Sequence, residues 1–225
     1  MYHEPGVTPH GLPHDPFKSC VVPRPIGWIS TVDGQGRHNL APYSQFQNVT
    51  FNPPIVMFSA NQNTGGQRKD SVRNAEETGE FVWNMATYAL RDAVNKSAEE
   101  LPYGVDEFEH AGLVKLPSRK VKPMRVAGSP IQFECVYLNT LRFPGVPPMG
   151  TADVVFGRVV AIHIDDEVID GQGMLDILKI QPLARMGYYD YTFVDNKFEM
   201  VIGGDNSALL AGLEGSPDKA REASR

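Results

Sequence analysis

Two runs in the second half of the chain constrain its fold most tightly. IQFECVYLNTLRF, residues 131–143, and ADVVFGRVVAIHI, residues 152–164, alternate in polarity and are rich in Val and Ile. PGVPPMG, a run of turn-forming residues, connects them. This pattern predicts two long antiparallel strands paired with each other. Shorter strand-like runs precede them. IGWISTV spans residues 26–32 and is closed by the turn residues DGQG, and a second strand covers roughly residues 39–49. IVMFSA follows at 55–60, its entry fixed by Pro53 and Pro54, and GEFVWNM lies at 79–85. Many strands at short spacing with few helices between them predict an antiparallel β-barrel, not a parallel α/β sheet.

The helical signals are peripheral. RKDSVRNAEETG (68–79) reads as a short helix that Asp70 or Ser71 is suited to cap, and residues 86–100 read as a helix outside the sheet. VDEFEHAG predicts a helical turn, the segment 115–130 is broken by prolines, and LDILKIQPLARMGYYDYTFV gives a helical turn followed by a strand or loop. The expected organisation is an extended arm at 1–22, one domain at 23–202, and a mobile tail at 203–225. The arm has no apolar core segment, so it reads as neither a signal peptide nor a membrane helix, and a cytoplasmic protein off the membrane is expected. The balance of 21 basic against 27 acidic residues, net −6, argues against nucleic-acid binding. Cys20 and Cys135 stand far apart in no metal-binding spacing and are expected as two buried thiols.

The chemistry-bearing residues concentrate between Arg24 and Asn74. Arg68, Lys69, Asp70, Ser71 and Asn74 fall within seven residues at a helix start, where basic side chains and unpaired N–H groups together suit a phosphate. Ser30 and Thr31 are consecutive on a strand, so one is expected to face the core and the other to face away. The segment Ser44, Gln45, Phe46, Gln47, Asn48 is too polar for an interior strand. It reads either as an exposed edge or as a strand addressing a heterocyclic ring. Hydroxyls at strand ends beside a basic cluster suit a ligand with a flat polar ring and a phosphate, the shape of flavin mononucleotide (FMN). His163 is expected as a surface or satisfied histidine, not a catalytic one. No metal site is expected, because HExxH and Cys/His pairs are absent, and no side chain stands out as a catalytic acid or base.

RPIGWIST, NLAPYSQF, NPPIVMFSA, RKDSVRN and EFVWN, followed by SPIQFEC, GRVVAIHIDDEV and PLARMGYYDY, resemble the flavin reductase-like proteins in order and spacing over residues 14–195. The resemblance extends to the branch with reductase components of nitrilotriacetate-type monooxygenases and flavoredoxin. It implies a mainly β, Greek-key-like antiparallel fold with peripheral helices, the FMN-binding split barrel, with FAD as a further option. Ser30 and Thr31 would lie beside the flavin, and the 44–48 strand would line its ring. Ser59, Arg68, Lys69, Ser71 and Asn74 would surround its ribityl and phosphate end. NAD(P)H would be the hydride source, and the reduced flavin would serve a monooxygenase or another electron acceptor. A homodimer with flavin near its interface is implied, with Arg185 and Tyr188 approaching the partner's site. One departure concerns the reductant. Many members carry a nicotinamide-facing histidine where this chain has Thr151, Ala152 and Asp153. That difference favours, as a second reading, an electron carrier with little NAD(P)H activity.

Overall fold

A computed structural model describes residues 1–63 and 65–200. Its contacts divide the chain into a unit at 1–194 and a unit at 195–225. In the second unit, residues 195–200 are exposed and carry no regular element, and the expected tail at 203–225 lies outside the described residues. The arm is largely exposed, with one 3-10 turn at Phe17–Ser19.

In chain order the first unit contains β1 (Arg24–Pro25), β2 (Gly27–Val32), β3 (His38–Tyr43), β4 (Phe46–Phe51) and β5 (Pro54–Asn61). Helix α1 (Asp70–Thr78) and β6 (Glu80–Met85) follow, then the short helices α2 (Arg91–Lys96) and α3 (Glu107–His110). Next come β7 (Lys115–Leu116), β8 (Arg125–Val126), β9 (Ile131–Phe143) and β10 (Ala152–Ile164). The unit ends with α4 (Ile177–Ile180), β11 (Leu183–Gly187) and β12 (Asp190–Phe193).

Among the described residues the largest sheet has seven strands in the order β3-β2-β6-β9-β10-β5-β4, each pair antiparallel. Its edge strands, β3 and β4, are consecutive in the chain and separated only by Ser44 and Gln45. Two residues reach about 7 Å. The opposite edges of the sheet must therefore meet, and the sheet curls into a barrel left split at the β3/β4 seam. The mainly β, antiparallel expectation holds, and β9 and β10 span the ranges their alternation predicts.

The barrel interior is packed by Ile29, Phe58, Phe81, Trp83, Ile131 and Val155. Phe46 enters from β4 and stacks on Trp83, with ring centroids 5.2 Å apart and planes 3° from parallel. Helix α1 adds Val72 and Ala75 to the same cluster, and ends at Gly79, whose φ of 76° suits a left-handed C-cap. A second apolar layer, with Trp28, Leu40, Val94, Phe108, Val126 and Leu183, covers the outer face of β2 and β3.

Ser30 and Thr31 point to opposite faces of β2, as consecutive strand residues do, and both are fully buried, because β2 is covered on both faces. Three corrections follow from local geometry. The single strand expected at 39–49 breaks at Ser44–Gln45, where the chain crosses the seam. The helix expected at 86–100 shrinks to a 3-10 turn at Tyr88–Leu90 and the six-residue α2, since Thr87 bridges Pro182 and Tyr88 N–H donates to Gln181 O. Cys20 is exposed, whereas Cys135 is buried as expected. His163 is satisfied: its Nε2 lies 2.5 Å from Oε1 of the buried Glu134. Burial raises the Glu134 carboxyl, yet N–H groups of Arg119 and Lys120 together with His163 bring it below the usual range.

The β9–β10 ladder slips between Phe156 and Gly157, and a Cβ on Gly157 would lie 2.3 Å from two ring carbons of Phe81. Phe81 is fully buried and cannot swing away. Gly157→Ala is expected to destabilise the fold by about 1–3 kcal/mol, the usual penalty of overpacking. Urea denaturation checks this: the midpoint falls and the slope is retained.

Candidate functional site

Ser44 and Gln45 border a groove of about 450 Å3, a size typical of small-molecule sites. Its other walls are Ser59, Ala60 and Asn61 of β5, Gln62 and Asn63 after it, and Pro148 and Met149 from the β9–β10 connection. Lys69 and Glu100 lie at one end. There the groove meets a smaller polar cavity of about 120 Å3 lined by Asn39, Asp70, Tyr103 and Glu107 among others. The two share Pro42, Tyr43, Asn63, Lys69 and Glu100.

The start of α1 lies at this junction. Lys69 is the N-cap, with extended backbone, and no side chain caps the helix. The expected cap by Asp70 or Ser71 is not formed, because Ser71 Oγ donates instead to Asn39 Oδ1 at 2.7 Å. The first-turn N–H groups of a helix lack intrahelical partners, which makes an uncapped start a natural anion site. Lys69 Nζ stands 3.8 Å from Glu100 Oε2, too long for a hydrogen bond. Burial pushes the Asp70 carboxyl up, while Arg73 and Lys69 pull it down.

Beneath the smaller cavity is a buried polar network. Thr31 Oγ1 donates to Asn39 Oδ1 at 3.2 Å, and Asn74 Nδ2 donates to Thr31 Oγ1 at 3.1 Å. Asn39 Nδ2 and Leu40 N–H donate to the Glu107 carboxylate at 2.9–3.0 Å. Asn74 Oδ1 is buried and has no partner. Burial pushes the Glu107 carboxyl up to about 6, against the hydrogen bonds that favour its charge.

The structure sorts the candidate residues accordingly. Ser44, Gln45, Ser59 and Lys69 line the groove, and Asp70 lines the cavity joined to it. Thr31, Ser71 and Asn74 belong to the network below. The rest lie apart from the walls. Ser30 Oγ donates to Met124 O at 2.6 Å on the outer face of β2. Phe46 is core, and Gln47 and Asn48 are exposed on edge strand β4, bonded to each other at 2.7 Å. Arg68 is held by Asp153 at 2.8 Å and Glu76 at 2.6 Å. Asp153, where the resemblance leads one to look for a histidine, is buried and also accepts from Arg142 Nε at 2.6 Å.

Sequence reasoning missed Asn63, Met149 and Glu107. Asn63 sits in the polar NQNTGGQ loop directly before the basic pair, a signal that was available. Met149 and Glu107 arrive through long-range folding and carry no local signal.

The donor set fits a flavin phosphate group. The groove offers hydroxyls and amides along its length and a cation with an uncapped helix start at one end, and no carboxylate other than Glu100 borders its main volume.

A family model described as flavin reductase like domain matches residues 19–194. An uncharacterised protein of Aquifex aeolicus is 35% identical over 182 residues, 80% of this chain and 90% of that one. YwrF of Bacillus subtilis, also uncharacterised, is 31% identical over 82% of this chain and 90% of its own length. Among solved structures, nitrilotriacetate monooxygenase component B from Bacillus cereus superposes with a TM-score of 0.81 at 28% identity, covering 89% of this chain and 98% of that one. Flavoredoxin of Desulfovibrio vulgaris (Miyazaki F) shares the fold, with a TM-score of 0.69 at 18% identity over 89% and 97% of the two chains.

The Glu107 shift has a testable sign. Its folded value of about 6 lies above the ordinary value of 4.5, so between these pH values the folded state binds more protons than the unfolded one. Its contribution is present below pH ~4.5 and is lost as pH rises to ~6, by about 2 kcal/mol. Glu107→Gln is expected to lack this decline. Urea unfolding of both proteins from pH 4.5 to 7 checks it, and parallel curves would remove the assignment.

Proposed function

This chain belongs to the flavin reductase-like family, and we propose that it binds FMN in the groove at the Ser44–Gln45 seam and uses it in hydride transfer from NAD(P)H. The observation that carries the reading is the uncapped start of α1, with Lys69 at its N-cap, at one end of that groove. Lys69 and the N–H groups of Asp70 and Ser71 hold the phosphate, the Val72 N–H being taken by Lys69 O. Ser59 and the seam residues Ser44 and Gln45 orient the ring and ribityl chain. Bound FMN supplies the hydride-accepting chemistry, and the protein supplies placement and electrostatics. Arg68 supports the site from behind through Asp153 and does not touch the phosphate.

The likeness to a monooxygenase component supports a role in which reduced flavin serves a partner oxygenase. A flavin-binding electron carrier is the second reading. It is favoured by Asp153, which ties up Arg68 and Arg142 and offers no imidazole to a nicotinamide. Leu138, Leu141 and Phe143 near the end of β9 are exposed, and we assign them to a homodimer contact. No helix among the described residues is long and apolar enough to cross a membrane.

Purified protein is expected to absorb as a flavoprotein, and its flavin to bleach on anaerobic addition of NADH or NADPH. Binding without bleaching would select the carrier. Lys69→Ala is expected to weaken FMN binding by about 1.5–3 kcal/mol, the range for a hydrogen bond to a charged group. Flavin fluorescence titration checks this, and unchanged affinity would take Lys69 out of the site.

A further inference from the structure

The far side of Ser44 holds a second cavity of about 410 Å3, lined by Lys18, Arg24, Arg185, Phe17, Met149 and Tyr188 among others. It shares Ser44 and Met149 with the groove. The pairing of β1 with β11 places Arg24 directly opposite Arg185. Like charges so placed repel. Among the described residues, no carboxylate forms an ion pair with Lys18, Arg24 or Arg185. Asp15 is the one acid in the wall, and it accepts from Phe17 N–H at 2.8 Å.

Neutral acceptors hold the two guanidiniums in place. Arg24 is only 9% exposed, and its Nη1 donates to the carbonyls of Lys18 and Val21. Its Nε–H is buried without an acceptor. Arg185 donates through Nη1 to Tyr191 Oη at 2.5 Å and through Nη2 to Tyr188 O, and it lies 4.4 Å over the Tyr191 ring. Tyr188 adopts a φ of 44°, a left-handed conformation rare outside glycine. A buried arginine facing a half-buried one, both positioned and neither matched by a carboxylate, beside a residue in a left-handed conformation, is a local conflict of the kind folds retain at ligand sites. Two adjacent planar forks suit two adjacent phosphoryl groups.

We propose that this cavity is a second anion site, built on Arg24, Arg185 and Lys18, that takes the pyrophosphate of the nicotinamide dinucleotide. It rests on the reductase reading for the identity of that dinucleotide. Lys69 and the arginine pair then hold anionic groups in separate cavities, and Ser44 and Met149 stand between them.

Titration calorimetry of FMN-saturated protein with inorganic pyrophosphate tests the site. Arg185→Gln and Lys18→Gln are each expected to weaken pyrophosphate about 10–150-fold, the equivalent of one charged hydrogen bond. FMN affinity is expected to stay the same, and kcat/KM for NADH to fall. Absent pyrophosphate binding, equal binding in both variants, or binding of benzoate in its place would overturn the proposal. Arg185-dependent pyrophosphate binding in a protein whose flavin neither NADH nor NADPH bleaches would keep the anion site and remove the reductase reading.

Discussion

The two-residue link between β3 and β4 is the constraint on which the rest of the structure depends. An open sheet has two distant edges, and here Ser44 and Gln45 tie them together. Closure then places demands on sequence far away. Gly27 of β2 faces Phe46 at the seam, and a Cβ there would lie 2.8 Å from the Phe46 ring. Only glycine lets Phe46 reach inward to Trp83. The same closure makes the lumen too narrow for anything but side chains, consistent with interiors of small barrels. Ligand space is therefore left at the seam, where the strands part.

Closure also explains why most hydroxyls and amides of the site region serve the protein itself. Thr31, Asn39, Ser71 and Asn74 are buried where α1 packs on β2 and β3, and buried polar groups must find partners. They find one another and Glu107, which arrives from α3. The network anchors the first turn of α1 by its side chains, so its backbone N–H groups are left without a cap. Ser71 is the pivot. Its hydroxyl turns inward to Asn39 instead of back onto the helix start. The functional consequence lies in what that leaves open, not in the hydroxyl itself.

Much of the fold was legible because its signals are local. β9 and β10 are long runs with alternation and many Val and Ile residues, and the β2–β3 hairpin carries its turn residues. The break at Ser44–Gln45 was not legible, since both flanking runs are strand-like and only the pairing of each with a different neighbour separates them. Legibility of the site divides by the same rule. Lys69 and Asp70, which border the groove and its side cavity, stood out because a basic cluster before a helix is a local pattern. Arg68 carries the same local pattern, yet its partner Asp153 lies 85 positions away. Ser30 and Thr31 resembled ligand groups because nothing in β2 announces that one layer of the fold will cover Ser30 and that α1 will cover Thr31.

The distribution of charge carries the functional argument one step further. In a chain of net charge −6, cations are scarce enough that most partly buried ones are matched. Arg37 pairs with Asp33, Arg68 with Asp153 and Glu76, and Lys115 with Asp106. Arg24 and Arg185 break that pattern. They face each other across a strand pair, and burial together with mutual repulsion pushes the Arg24 guanidinium below its usual range. A single carboxylate on β12, one residue from Tyr191, would relieve the conflict, and Asp190 stands there, but it pairs in register with Gly187 and forms no ion pair with Arg185 among the described residues. Uncompensated positive charge that the fold could neutralise and does not is best understood as held for an anion from outside. Its place beside Ser44 and Met149, which also border the groove of Lys69, sets two positive sites in adjoining cavities.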